Sequence, residues 1–525
     1  MSSTPPPSAP PWREVEIELT AGTSHAAPYA AVEVWADFTC GSEVLRRPAF
    51  WDGADRWCLR FAAPHSGEWQ WVSAANVDDP GLHGRAGRVV CADDGGRSGV
   101  RAFEHGFWRM SSSGRQLEHA DGTPALMVAD TAWALPWRAT PEQVREYARD
   151  RRDKGFNAVL LMTVQPDMRA VGPRDRTADE GFDVAFEDLP DGRLRELNPE
   201  YFGRLDVLLD ILVSHDLVPV LQPVFHGFGW KGLDVAGTVV PDEDYARYCR
   251  YLVARYGARP AVYLVGADGS GEETQVAAGG EEVQAWDAYA QPTGIHYRPH
   301  ATNHAHQDAD WLDFQSCQTG HEAEHLPERV ADMWRNTPAK GVLNLEPTYE
   351  NTAERGRAAG WWQGHEAWSN LCAGGTMGVG YGAASLWQWR LHAGETGHSE
   401  GFLCPDAGWR EALDYEGSGY VGLVGRIFGH LPFGDMTPNW TSSLGGRGLS
   451  VPGQLVVLYR NGARVVKLMD PELPRHLTVL DPRSGEVVEQ TVLDPLPEAL
   501  ENPLGDPRVY VFTTRAIGWD ETARG

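Results

Sequence analysis

"TPEQVREYARDRRDKGFNAVLLMTV", residues 140–164, sets a helix directly against a strand. Thr140 stands at an N-cap, Pro141 follows at the first helical position, and Gln143 lies three residues after the cap, the spacing of a capping box. Val144, Tyr147 and Ala148 share one face, and Gly155 can end the helix in a left-handed turn. "NAVLLMTV" (157–164) is then apolar without alternation, the pattern of a parallel strand covered on both faces. A unit of this kind needs neighbours. "NPEYFGRLDVLLDILVSHD" (198–216) repeats the helix with Asn198 as cap and a stripe of Leu205, Leu208, Leu209 and Leu212. "LVPVLQPVF" (217–225) follows as a strand, then "PDEDYARYCRYLVARYG" (241–257) as a helix and "AVYLVGAD" (261–268) as a strand. Such alternation marks an α/β architecture with parallel strands.

Counting outward from these units, strands are expected at "ALMVAD" (125–130), 157–164, 217–225, 261–268, "RPHATNHA" (298–305), "LDFQSCQ" (312–318), "GVLNLE" (341–346) and "YGAASLWQW" (381–389). Eight strands over about 330 residues predict a (β/α)8 TIM barrel spanning 101–431. On either side the period drops to two. "VEIEL" (15–19) and "VEVWADF" (32–38) alternate between turn signals, so 15–100 is expected to be an antiparallel β-sandwich. A second sandwich is expected over 432–525. There "QLVVLYRNGARVVKLMD" (454–470) predicts a hairpin around Asn461-Gly462, "LTVLDPRSGEVVEQTVL" (477–493) a second hairpin, and "RVYVFTT" (508–514) a last strand. Residues 1–14, rich in Pro and Ser, are expected to be disordered.

The 525 residues carry a net charge of −27 and no basic cluster. That combination opposes nucleic acid and anionic membrane surfaces as partners. No apolar run approaches the ~20 residues of a membrane span, and the first residues have neither the charged nor the apolar region of a secretory signal. Seven scattered cysteines without a CxxC pair suit reduced thiols, so a cytoplasmic location is expected. No glycine-rich phosphate loop stands between a strand and a helix. The 21 tryptophans suit either a large core or sugar-stacking platforms.

In a barrel of this kind the active site lies at the C-terminal ends of the strands. Those ends present Asp130 and Trp133, then Gln165, His226, Asp268, Asn303 with His304, Gln315, Glu346, and finally Trp387 and Trp389. His321, Tyr349 and Glu350, in the segments after the sixth and seventh strands, join them as candidate substrate-binding residues. Asp268 and Glu346 are the prominent carboxylates, on strands four and seven, across the barrel from each other. Two carboxylates facing one bond can hydrolyse a glycoside, the protonated one donating to the leaving oxygen and the ionised one attacking or activating water. This chemistry needs no cofactor, and the expected partner is a small glycoside or oligosaccharide. The plainer reading of a strand-end Asp is a turn or helix cap. Glu272, Glu273 and Glu350 are alternative acids. His304 and His306 offer an HxH pair to a metal-dependent hydrolase, although such barrels place that pair on the first strand, where this chain has "VADTAW". Trp387 and Trp389 alternate, so one faces the interior and the other is core. A sugar-binding barrel without catalysis is the remaining reading.

"ALMVADTAW" (125–133), "GFNAVLLMTV" (155–164), "YLVGAD" (263–268), "NLEPTYE" (344–350) and "GVGYGAASLWQW" (378–389) together resemble the apiosidase-like barrel of glycoside hydrolase family 140. "PAFWDGADRWCLRFAAPHSGEWQW" (48–71) resembles the β-sandwich that often precedes that barrel. "LDPRSGE" (480–486) resembles the collagen-binding-type sandwich that often follows it. The resemblance implies a retaining, exo-acting β-D-apiosidase-like hydrolase with Asp268 as acid/base, Glu346 as nucleophile and Asp130 as a sugar-hydroxyl ligand. The chain has Gly266-Ala267-Asp268 where Gly-Gly-Asp is more typical of the family.

Overall fold

A computed structural model of the chain describes residues 6–519 apart from 94, 96, 97, 167, 169–183, 228–234, 300, 322–326, 352–359 and 394–406. Its centre is a closed barrel of eight parallel strands. They are β1 (Met127–Thr131), β2 (Ala158–Met162), β3 (Val218–Gln222), β4 (Val262–Gly269), β5 (Thr293–Tyr297), β6 (Phe314–Gln318), β7 (Gly341–Glu346) and β8 (Gly378–Tyr381). All eight are buried along their whole length. That is why they read as apolar runs and not as alternation. Around them pack α1 (Pro141–Lys154), α2 (Pro199–Ser214), α3 (Asp242–Tyr256), α4 (Thr274–Trp286), α5 (Pro327–Trp334), α6 (Trp361–Cys372) and α7 (Glu416–Phe428). The capping box of α1 forms as its spacing predicts: the Thr140 hydroxyl accepts from the Gln143 N–H, and the Gln143 side chain accepts from the Thr140 N–H. Gly155 closes the helix at φ 103°.

Two barrel strands lie elsewhere than expected. The fifth is 293–297, not 298–305, because the short run "TGIHY" between Pro292 and Arg298 carries too few apolar residues to stand out. Residues 298, 299 and 301–305 belong to the loop after β5, where Asn303 and His306 adopt positive φ. The eighth is 378–381, not 381–389. There the backbones approach so closely that a Cβ on Gly380 would lie 2.5 Å from the Leu345 carbonyl oxygen. The W-Q-W alternation that suggested a strand falls at a helical turn, Ala384–Trp387.

The N-terminal region forms a seven-stranded, largely antiparallel sheet. Its strands bury alternate residues, among them Val15, Ile17, Leu19, Ala36, Phe38, Leu59 and Phe61, and polar residues face out. Of residues 1–14, expected to be disordered, 6–14 are ordered and 1–5 lie outside the described residues. Ser8–Ala9 pairs in parallel with Val90–Cys91, and the Trp12 ring packs 5.0 Å from Phe107. A large aromatic side chain anchors what the proline content otherwise leaves extended. A buried ionic cluster joins this sheet to the barrel helices. Arg60 and Arg255 both donate to Asp206, Arg255 also reaches Asp52, and Arg259 reaches Glu14.

After the barrel come a six-stranded antiparallel sheet and a separate two-stranded one. His476–Leu480 and Val487–Val492 pair as the predicted second hairpin. The expected hairpin at Asn461-Gly462 does not form. Leu455–Arg460 pairs with Arg508–Thr513, whereas Val465–Lys467 leaves to pair with Ala499–Glu501. Gly462, at φ 78°, makes the turn, but the chain crosses from one sheet to the other there.

Candidate active site

Asp268 lies near the end of β4, where the β4–β5 ladder slips twice, between Leu264 and Gly266 and again between Ala267 and Gly269. The second slip sets Asp268 outside the regular pairing with φ 58°, a left-handed conformation that Asp tolerates better than most side chains. Glu346 ends β7, where the ladder to β6 also slips. One oxygen of each carboxylate and one nitrogen of His296 lie within 4.8 Å of one another. His296, on β5 and fully buried, joins the two acids. Its Nε2 is 2.8 Å from Glu346 Oε2 and 3.3 Å from Asp268 Oδ1, and its Nδ1 is 3.3 Å from Ser316 Oγ.

The remaining hydrogen bonds assign protons. The Tyr349 N–H donates to His321 Nδ1 at 3.2 Å, which places the His321 proton on Nε2, 3.1 Å from Glu346 Oε1. Glu346 therefore accepts one N–H on each oxygen. Gln318 Nε2 donates to Asp268 Oδ1 at 2.9 Å, so the acidic proton of Asp268 belongs on Oδ2. The two acids are driven apart. Burial, and then the charge of Glu346, push Asp268 up to about 6. Burial also acts to raise Glu346, but the hydrogen bonds of His296 and His321 outweigh it and hold the carboxyl far below the usual range. Burial acts to lower His296, yet its two carboxylate partners carry it up to about 9, so it is an imidazolium at neutral pH. One carboxyl holds its proton well above the usual carboxylate range and the other stays ionised, the division of roles that acid and nucleophile require.

Of the other expected residues, Trp133, His321, Tyr349 and Trp387 surround this trio. The Trp133 ring meets His296 edge-on at 6.5 Å and Trp387 at 5.8 Å. Tyr349 stacks on His321 with centroids 4.1 Å apart. The indole N–H of Trp133 is buried without a hydrogen-bond partner, and the buried hydroxyl of Tyr349 faces Glu346 and Thr131. Trp389 is core, stacked on Trp409 at 4.7 Å. Gln165 is buried just beyond β2.

Several expected residues point elsewhere. Asp130 faces outward from β1 to α1, where Arg151 Nε donates at 2.6 Å and Tyr147 Oη at 2.8 Å. It is a buried structural ion pair and not a sugar ligand. Gln315 also faces outward, accepting from Tyr297 Oη and donating to the Ala305 carbonyl. Glu350 accepts from Tyr381 Oη and from the Gly417 N–H at the start of α7, a helix anchor remote from the trio. His226 lies behind β4, its Nδ1 accepting from the Ala267 N–H, its ring against Tyr245, and its basicity pushed down to about 4 by burial. Asn303 accepts from Arg329 in the loop after β5, and His304 there is exposed. His306 packs against Trp311, so His304 and His306 do not converge as metal ligands. Of the alternative acids, Glu273 caps its own loop, its Oε1 accepting from the N–H and hydroxyl of Ser270, and Glu272 is exposed.

The sequence reading missed three residues. His296 was hidden by the misplaced fifth strand. Gln318 was passed over for Gln315, although alternation counted back from the true end of β6 selects it. Gln222, ending β3, pairs with Met162. Counting register from outward-facing Asp130 through Val159 places Met162, and hence Gln222, on the lumen side. Its amide is fully buried with no partner on either atom. Among the described residues, Asp268, His296 and Glu346 are the one convergent group of potential metal donors, and the imidazole N–H already fills the space between the two carboxylates.

Residues 111–435 match the family model described as "Apiosidase-like, catalytic domain", and residues 8–76 match a domain of unknown function, DUF5060. No curated protein matches the chain by sequence. Among solved structures, a protein from Bacteroides vulgatus ATCC 8482 named as a presumed glycoside hydrolase aligns with a TM-score of 0.71 at 17% identity. That alignment covers 97% of this chain and 100% of the other. A glycoside hydrolase family 5 structure from the same organism aligns with a TM-score of 0.66 at 17% identity, over 79% and 94% of the two chains. At these identities the structures show the shared fold, and the family match over most of the barrel carries the rest: the chain belongs to the apiosidase-like family and is a glycoside hydrolase.

Proposed function

We propose that the protein is a retaining, exo-acting hydrolase that removes a terminal furanosyl sugar, apiose or a close analogue, from a small glycoside or oligosaccharide. The observation that carries this reading is the convergence of two buried acids on His296, in surroundings that raise Asp268 and lower Glu346. Their oxygens, within 4.8 Å of each other, are nearer the roughly 5–5.5 Å of retaining enzymes than the roughly 6.5–9.5 Å that leave room for an attacking water. Glu346 attacks the anomeric carbon while Asp268 Oδ2 gives its proton to the leaving oxygen. Asp268 then takes a proton from water, which attacks the same carbon and releases Glu346. The unpartnered Trp133 N–H and Gln222 amide suit the hydroxyls of a small sugar, and the family supports a furanoside. The six described cysteines are free thiols, which supports a reducing, cytoplasmic setting.

The test is nitrophenol release from a panel of aryl furanosides and pyranosides. One furanoside is expected to be turned over, with activity lost in Glu346→Ala and azide giving a glycosyl azide of inverted configuration there. Full activity of Glu346→Ala on a cleaved sugar would overturn the assignment. A chelator is expected to leave turnover unchanged.

A further inference from the structure

His296 is the one described side chain that lies within ion-pair distance of both acids, and it treats them unequally. Its Nε2–H is directed at Glu346 Oε2, 2.8 Å away, while Asp268 Oδ1 waits at 3.3 Å. The ring is fully buried and fixed on its far side by Ser316 Oγ and on one edge by Trp133, so it is confined to small movements between these two partners. Glu346, the carboxyl held low by its two hydrogen bonds, takes the shorter bond. Charge-assisted hydrogen bonds are shorter and about twice as strong as neutral ones, so the imidazolium follows whichever carboxyl bears the charge.

Resting on the two-step mechanism proposed above, the charge changes sides midway. In the first step a Glu346 oxygen forms a bond to the anomeric carbon as the carbon–oxygen bond to the leaving group breaks, and the Asp268 proton goes to that leaving oxygen. Glu346 is now a neutral ester and Asp268 a carboxylate. In the second step Asp268 takes a proton from water, the water oxygen bonds to the anomeric carbon, and the ester bond breaks to restore the Glu346 carboxylate. We propose that His296 is a positioning residue whose Nε2–H hydrogen bond passes from Glu346 to Asp268 when the glycosyl-enzyme forms and returns when it is hydrolysed. It thereby holds the nucleophile for the first step and the Asp268 carboxylate, aimed at water, for the second. Gln318, donating to the same Asp268 oxygen, keeps that carboxyl in place during the exchange.

Two measurements test this, and the first needs no substrate. Glu346→Gln carries a neutral side chain in place of the carboxylate, as the ester does. In its crystal structure His296 Nε2 is expected to lie nearer Asp268 than the 3.3 Å seen here, with the ring still doubly protonated at pH 7 by 15N NMR. An unmoved ring, or a neutral one, overturns the proposal whether or not any glycoside is cleaved. The second uses His296→Gln with a dinitrophenyl furanoside, whose leaving group needs no acid. In the first step Glu346 keeps its hydrogen bond from His321, so loss of the His296 bond is expected to slow hydrolysis of the glycosyl-enzyme about 10- to 100-fold more than its formation, the worth of one bond to a charged group, and a burst of dinitrophenol precedes slow turnover. A merely structural role would slow both steps alike and give no burst, and that outcome also overturns the proposal. If the wild-type enzyme cleaves none of the panel, the proposed furanosyl substrate fails on its own, and the Glu346→Gln structure still decides whether His296 changes partner.

Discussion

Asp268 and Asp130 are both buried aspartates near the ends of barrel strands, and their surroundings give them opposite uses. Asp268 is raised to about 6, so the fold favours its protonated form. A general acid must hold its proton, and kcat/KM is therefore expected to be high at mildly acidic pH and to fall as pH rises through about 6. A profile that rises through that pH instead would assign Asp268 as a base. The same shift is a stability cost. It is absent below the unfolded pKa of about 3.9 and complete above about 6. Asp268→Asn, which tolerates the left-handed backbone, is thus expected to stabilise the protein by about 1–3 kcal/mol at pH 8 and to leave it unchanged at pH 3. Paired thermal melts at the two pH values check this. Asp130 is put to a different use. Burial raises its carboxyl too, against the pull of Arg151, but the pair is locked between β1 and α1. Asp130→Asn removes one of the two carboxylates that hold the buried Arg151, Asp150 remaining, and is expected to cost about 1–3 kcal/mol in a denaturant titration, with KM unchanged in the folded fraction.

At the scale of elements, the helices and the long strands were legible because their patterns are local. The α1 cap residues, its apolar face and its closing glycine all fall within one stretch of chain, and Thr140→Ala is expected to destabilise the protein by about 1 kcal/mol through loss of that cap. β5 and β8 were not legible. β5 is five residues long, and Gly294 in it leaves room for the Phe314 ring. β8 owes its place to backbone contact. Gly380→Ala would press a methyl into the Leu345 carbonyl, and the variant is expected to lose at least about 2 kcal/mol or to fail to fold, as urea melts of the soluble fraction would show. A glycine-rich strand pressed between two others has no periodicity to read, since what places it is the absence of side chains.

Across the whole molecule, the barrel and the N-terminal sheet share buried charge and apolar surface. Arg60, Arg255, Asp206 and Asp52 form one network, and Ala62, Val100 and Phe107 pack with Val213, Ala258 and Tyr289. Arg255→Ala would remove one of two cationic partners from each of Asp206 and Asp52, which keep Arg60 and Arg56, and is expected to cost about 1–3 kcal/mol, with sheet and barrel melting in a single calorimetric transition. A separate low-temperature transition would mean that the two regions fold independently. The sequence by itself determined the sheet–barrel–sheet order, most of the barrel strands, and the two carboxylates that end β4 and β7. Each of these rests on patterns within a few residues, because apolar period and strand-end chemistry are local properties. Only the tertiary structure decided that Asp130 turns away from the lumen, that Gln318 and not Gln315 faces it, and that His296 stands between the acids. Those outcomes depend on register and bulges between strands far apart in the chain. A slip of one residue reverses the facing of a side chain while leaving the apolar run unchanged.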